Sequence, residues 1–130
     1  MHVAKEDIPV ILEVPGAVAR QLGGFGEVPE LGGMAGEWFS LGAGTDIAPL
    51  LEGLDHDACS APHWGFVLSG GLVITYVDGT EEQLQGGELF HWPPGHSVRV
   101  TSDAEVILFS PHAAHRAVVD HMARKLEAAR

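Results

Sequence analysis

The sequence predicts an all-β fold, a single antiparallel β-barrel of the jelly-roll kind followed by a C-terminal α-helix. Three observations predict it. Between residues 63 and 110, short runs enriched in β-branched and aromatic side chains recur at regular spacing. Breaks built on Gly, Pro or Asp separate those runs, in a chain with 17 Gly and 8 Pro among 130 residues, which favours many short elements joined by turns. From Pro111 onward the apolar period lengthens to that of a helix.

A single domain is expected at this length. Residues 1–33 read as an N-terminal arm, 34–110 as the barrel and 111–130 as the helix. In the arm, Ile8 to Val14 has the composition of an edge strand, because Pro9 cannot donate to a ladder. Val14 to Gln21 reads as a single helical turn begun by Pro15, and Gly23–Gly26 and Leu31-Gly32-Gly33 as loops. The Gly23–Gly26 run lacks the Lys-Ser/Thr ending of a phosphate loop. Met34–Leu41 reads as a strand, and Thr45–Leu51 gives mixed signals.

The later strands are expected at His63–Leu68, Leu72–Val77, Glu81–Gln85, Glu88–Trp92, Ser97–Thr101 and Glu105–Ser110. The turns between them fall at Ser69-Gly70-Gly71, Asp78-Gly79, Gly86-Gly87, Pro93-Pro94-Gly95 and Ser102-Asp103. Asp78-Gly79 is the strongest, since both residues tolerate the positive φ of a two-residue hairpin turn. Leu72–Val77 and Glu105–Phe109 are apolar on both faces, so the outward face needs cover from a second sheet, the N-terminal segment or another subunit. In the helix, Ser110 suits the N-cap and Pro111 the first helical position. Val118, Met122 and Leu126, with Val119, form one apolar stripe, while Lys125 and Arg130 suit the helix dipole. His112 and His115 read as part of the solvated face.

The formal net charge is −11, from 18 acidic and 7 basic residues. Such a field repels polyanions, which argues against nucleic acid and anionic membrane surfaces as partners. One cysteine cannot form an internal disulfide. The N-terminus lacks a secretory signal pattern and no apolar run reaches a membrane span, so a soluble cytoplasmic protein is expected. Paired acidic residues such as Asp55/Asp57 and Glu81/Glu82 sit at turns and read as solubilising.

Ligand-type side chains concentrate between Cys59 and His96. Alternation along a strand sends His63, Gly65, Val67 and Ser69 to one face, and puts His96 on the same face as Val98. Cys59 shares parity with His63. A metal site of Cys59, His63 and His96, with His56 or His91 beside it, would suit zinc, iron or copper better than magnesium, because thiolate and imidazole are soft to borderline ligands. Trp64 and Trp92 are candidates for a pocket wall with His56 and His91. Cys59 and His63 would also make a thiolate–imidazole pair, but nothing else marks acyl transfer.

Two stretches carry a family resemblance. Phe66-Val-Leu-Ser-Gly70 looks like the Tyr-Val-Leu-x-Gly that ends the first motif of the cupin superfamily. Gly87, followed after five residues by Pro93-Pro94-Gly95, looks like the frame of its second motif. Over about residues 40–110 the chain thus resembles a cupin, which implies a small antiparallel barrel, commonly a homodimer. It looks most like the small single-domain bacterial cupins written C-x2-P-H-W-G-Y-V-L and W-P-P-G-H, a comparison that implies no particular reaction. The family's metal ligands match poorly. The motif spacing places His63 where the family carries Glu, Cys59 and Asp57 (or, with the longer spacing, Ala58 and His56) at the two His positions, and Val98 at the last His. The expected function is a small-molecule-binding barrel with a His/Cys-lined pocket, with or without a bound transition metal; the alternative is a metal-dependent enzyme of the oxygenase or isomerase type. Under either, the helix is expected to pack away from the site.

Overall fold

A computed structural model of the chain describes residues 1–30 and 32–129. Leu31 and Arg130, which enter the loop and helix-dipole expectations above, lie outside the described residues. The strands in chain order are β1 (Val10–Val14), β2 (Ala17–Leu22), β3 (Glu27–Val28), β4 (Gly32–Leu41), β5 (His63–Tyr76), β6 (Glu81–Gln85), β7 (Leu89–Trp92) and β8 (His96–Pro111). A short helix α1 (Ala48–Leu51) precedes β5, and the long helix α2 (His112–Ala128) follows β8. All strands join one antiparallel sheet ordered β1-β2-β4-β8-β5-β6, with β3 added to β4 and β7 to β5. The sheet curls into a jelly roll, but among the described residues no ladder joins β1 to β6. The roll is therefore open along one side, and α1, α2 and β1 cover its mouth.

Three sequence expectations change here. Pro15-Gly16 begins no helical turn: Gly16 has φ +85° and makes the tight turn that folds β2 back on β1. Ser69-Gly70-Gly71 and Ser102-Asp103 are not turns between separate strands. β5 and β8 run through them as one long ladder, with the register shifting between Val67 and Leu72. Gly70 makes that bend possible: its φ is +89°, and a Cβ there would sit 2.1 Å from the Asp103 carbonyl oxygen. Loop and bulge use the same residue types, so composition alone cannot separate them. The Asp78-Gly79 hairpin does form, but with three loop residues. Gly79 N–H donates to Tyr76 O, Tyr76 N–H donates to Thr80 O, and Gly79 alone takes positive φ, the pattern of a type I turn with a glycine bulge.

Inside the roll, Val67, Leu72, Ile74, Val98, Val100, Val106 and Leu108 form the main core. A second cluster, Leu51, Cys59, Ala61, Val118 and Met122, joins α1, α2 and the segment before β5. The predicted stripe on α2 is the buried one, with Val118, Val119 and Met122 inside. The helix start differs from expectation. Pro111 occupies the N-cap position without a side-chain cap, and Ser110, the penultimate residue of β8, is fully buried. Its hydroxyl is engaged elsewhere.

Candidate functional site

The site begins with backbone pairing. Cys59 N–H donates to His96 O at 2.8 Å, and Gly95 N–H donates to Cys59 O at 2.7 Å, so the Pro-Pro-Gly corner fastens Cys59 beside the first residue of β8. His63 opens β5 opposite Trp92 of β7. Strand alternation turns His63 and Val67 inward, along with His96, Val98 and Val100, as the sequence predicts. Ser69 departs from it, being exposed beyond the bulge. His63 and His96 are 2% and 1% exposed, and their ring centroids are 5.0 Å apart. The Cys59 sulfur lies 3.6 Å from His63 Nε2. One donor atom from each of Cys59, His63 and His96 falls within 4.8 Å of the others.

The other candidates go elsewhere. His56 stands on an exposed 3-10 turn with φ 56° and pairs with Asp55. Trp64 and His91 point outward and stack on each other at 4.8 Å, because both have the strand parity opposite to His63 and Trp92. They contribute to the outer face of the sheet and do not line the pocket. Trp92 does line it, with its ring edge-on to His63 at 5.9 Å.

Three residues complete the site without having been singled out in the sequence. Glu37 is 2% exposed on β4 and receives hydrogen bonds from Gln21 Nε2 at 3.1 Å and from the Ser110 hydroxyl. Ser110 Oγ also lies 2.5 Å from His63 Nδ1. His115, in the first turns of α2, packs its ring 4.4 Å from that of His63 and places Nδ1 2.5 Å from Glu37 Oε2. That contact sets the His115 ring directly against the buried Glu37 carboxyl group. The expectation of a helix packed away from the site is thus corrected, as is that of a solvated His115. His115 stands three residues before Val118 and so extends the apolar stripe toward the helix start, which was the available signal.

The network assigns the tautomers. Ser110 has one hydroxyl proton and gives it to the Glu37 carboxylate, so its oxygen accepts from His63 Nδ1–H. His63 Nε2 then presents a lone pair toward Cys59. His96 Nδ1 donates to Pro93 O at 2.8 Å, leaving its Nε2 lone pair free. Burial, reinforced by the neighbouring charges of His115, His96 and His91, holds His63 well below its ordinary pKa. Burial likewise brings His96 down to about 4, against the opposing pull of the Pro93 carbonyl. Burial pushes the Cys59 thiol up to about 11, although its contact with Ala61 O works the other way. At neutral pH His63 and His96 are therefore uncharged and the Cys59 thiol keeps its proton. The proton stays on sulfur, which disfavours a thiolate–imidazolium nucleophile.

Cys59 and His63 have the spacing that a transition metal needs, and the same proximity brings together a second group of ligand types, Glu37, His63 and His115. Bond lengths of ~2.3 Å to sulfur and ~2.05 Å to nitrogen, at a tetrahedral angle, put the two donors ~3.6 Å apart. The Cys59–His63 separation is that distance. Each imidazole also has its remote N–H held, by Pro93 O directly and by Glu37 through Ser110, as metal-ligating histidines usually do.

Beside the donors lies a cavity of about 360 Å³ between the inner sheet and the cover formed by β1, α1 and α2. Jelly roll, Pro-Pro-Gly corner and His-lined pocket together define a cupin-type barrel. The family description "Cupin domain" matches residues 54–118, half of the chain, and the chain belongs to that family. No curated protein matches it in sequence. A Bacillus subtilis oxalate decarboxylase mutant is similar in structure, with TM-score 0.58 and 20% identity over 82% of this chain and 28% of that one. The polyketide cyclase RemF from Streptomyces resistomycificus gives TM-score 0.57 and 18% identity over 85% and 78% of the two chains. An RmlC-like cupin from Shewanella frigidimarina gives TM-score 0.55 and 16% identity over 84% and 88%. These likenesses carry the fold. The chain spans less than a third of the oxalate decarboxylase.

Proposed function

We propose that this chain is a small-molecule-binding cupin whose pocket holds a transition metal (zinc, iron or copper) on Cys59, His63 and His96. The observation that carries this reading is the spacing of the Cys59 and His63 donor atoms, joined to a third buried donor whose other ring nitrogen is already engaged. Glu37 and Ser110 orient His63, and His115 closes the site from the helix side. A metal held there would supply Lewis acidity and a coordination position open toward the cavity.

The second reading, a metal-dependent enzyme of the oxygenase or isomerase type, uses the same site. Three protein donors beside a cavity, rather than four in a closed shell, favour it. Glu37 would then be the buried carboxylate available to hold a proton through Ser110 and His63.

The partners of this reading are a small molecule and a second copy of the chain. Trp64, Leu68, Leu89 and Phe109 stand exposed on the outer face of the β7-β5-β8 region, and Leu89 is 83% exposed. Burying that patch against its twin would give the two-sided apolar strands their cover. No helix among the described residues is long and apolar enough to cross a membrane; a cytoplasmic location belongs to the same proposal.

Metal analysis of protein purified without a histidine tag tests the central part. About one transition metal per chain is expected, lost in His63→Ala and retained in His56→Ala and His91→Ala. Wild-type protein that takes up no zinc, iron or copper when each is supplied in excess would remove the metal from the account.

A further inference from the structure

The cavity selects by charge as well as by shape. Its walls are hydrocarbon, from Phe39, Leu51, Trp92, Val106, Leu108 and Met122 among others, and the polar donors Cys59, His63 and His96 cluster together on it. Among the described residues no lysine or arginine lines it, whereas Asp46 does. Glu37 lies buried behind His63, linked to it by Ser110. The basic group that faces this carboxylate is His115, which lines the same cavity and sets Nδ1 2.5 Å from Glu37 Oε2, so neither is left over as a fixed counter-charge for a ligand. A carboxylate entering this space would lose its hydration without finding a counter-charge, and an uncharged oxygen would lose far less.

Size sets a second limit. At ~30 Å³ each, the share of one water molecule in the liquid, about 360 Å³ has room for roughly a dozen water-sized groups.

Resting on the pocket reading above, we infer that the cavity takes an uncharged, hydrocarbon-rich molecule of about a dozen non-hydrogen atoms, ending in one hydroxyl that donates to the free Nε2 lone pair of His96 or fills the open position of a metal held there, and rejects the carboxylate of equal length. Selection arises from what the wall lacks as much as from what it offers. An apolar body gains by leaving water, a single hydroxyl is satisfied by an imidazole lone pair, and a charged group has no partner.

Isothermal titration of the untagged full-length protein with octan-1-ol and with octanoate, at pH 7.5, tests this. Octan-1-ol should bind at least tenfold more tightly. Ala19→Phe, which fills the cavity from β2, should weaken alcohol binding at least tenfold. Octanoate binding equal to or tighter than octan-1-ol overturns the inference. So does an absence of alcohol binding up to its solubility limit, or alcohol binding that Ala19→Phe leaves untouched. Metal content is measured on the same samples. Alcohol selectivity in metal-free protein upholds the ligand class and counts against the metal. A metal-loaded protein that prefers octanoate overturns the ligand class and leaves the metal in place.

Discussion

Acid should destabilise the metal-free protein, and His96 accounts for a defined share of the loss. In the unfolded chain this imidazole takes up its proton near pH 6.5, while in the fold burial holds it off until about pH 4. Between those values the unfolded state binds more protons, so stability rises with pH across the window. The contribution is fully present above pH 6.5 and is lost as pH falls toward 4. At ~1.4 kcal/mol per pKa unit, the gap amounts to ~3 kcal/mol from His96. His63 shifts in the same direction and adds to the slope. Urea unfolding of the chelator-treated protein at half-unit pH steps from 7.5 to 4 measures the effect. His96→Asn is the matched control, because its amide still reaches the Pro93 carbonyl that His96 Nδ1 binds. Subtracting the two curves cancels the ordinary carboxylates. The wild type should lose ~3 kcal/mol more than the variant over the window. Parallel curves would mean that His96 is protonated or solvated in the fold, and the argument from burial would fail.

Two further outcomes follow from the same geometry. In metal-free protein the Cys59 thiol, 3% exposed and raised to about 11, should react with a disulfide reagent far more slowly than a free thiol at neutral pH. Because its folded pKa lies above the unfolded value of 9.0, stability should also fall as pH rises from 9 to 11; rapid labelling of folded protein at pH 7 would contradict both. Gly70→Ala should prevent folding or cost several kcal/mol, through left-handed strain and contact with the Asp103 carbonyl. Gly79→Ala, also at positive φ but with open space around it, should cost ~1 kcal/mol. Chemical denaturation reads the difference, and equal effects would remove the bulge argument.

The inner face was legible because strand alternation is a local rule. From it the shared face of His63 with Val67, and of His96 with Val98, follows without tertiary information, and the apolar stripe of α2 follows from helical periodicity in the same way. Alternation stops being a guide where the ladder shifts register, so Ser69 ends up exposed. Glycine marked each interruption of the strands but not its kind, since a bulge at Gly70 and a turn at Gly79 ask for the same backbone freedom. Glu37, Ser110 and His115 were missed for a different reason. They come from β4, the end of β8 and α2, far apart in sequence, and only pairing across β4 and β8, with α2 folded over the mouth, brings them to His63. A lone carboxylate in a strand otherwise built of Gly, Met, Ala, Trp, Phe, Ser and Leu was the one local sign that Glu37 is set apart.

X-ray absorption at the metal edge of the zinc-loaded protein tests the central claim most directly. The account predicts one sulfur near ~2.3 Å with nitrogen neighbours near ~2.0–2.1 Å, and loss of the sulfur shell in Cys59→Ser. A shell of nitrogen and oxygen alone, unchanged by Cys59→Ser, would place the ion away from the Pro-Pro-Gly corner and contradict it.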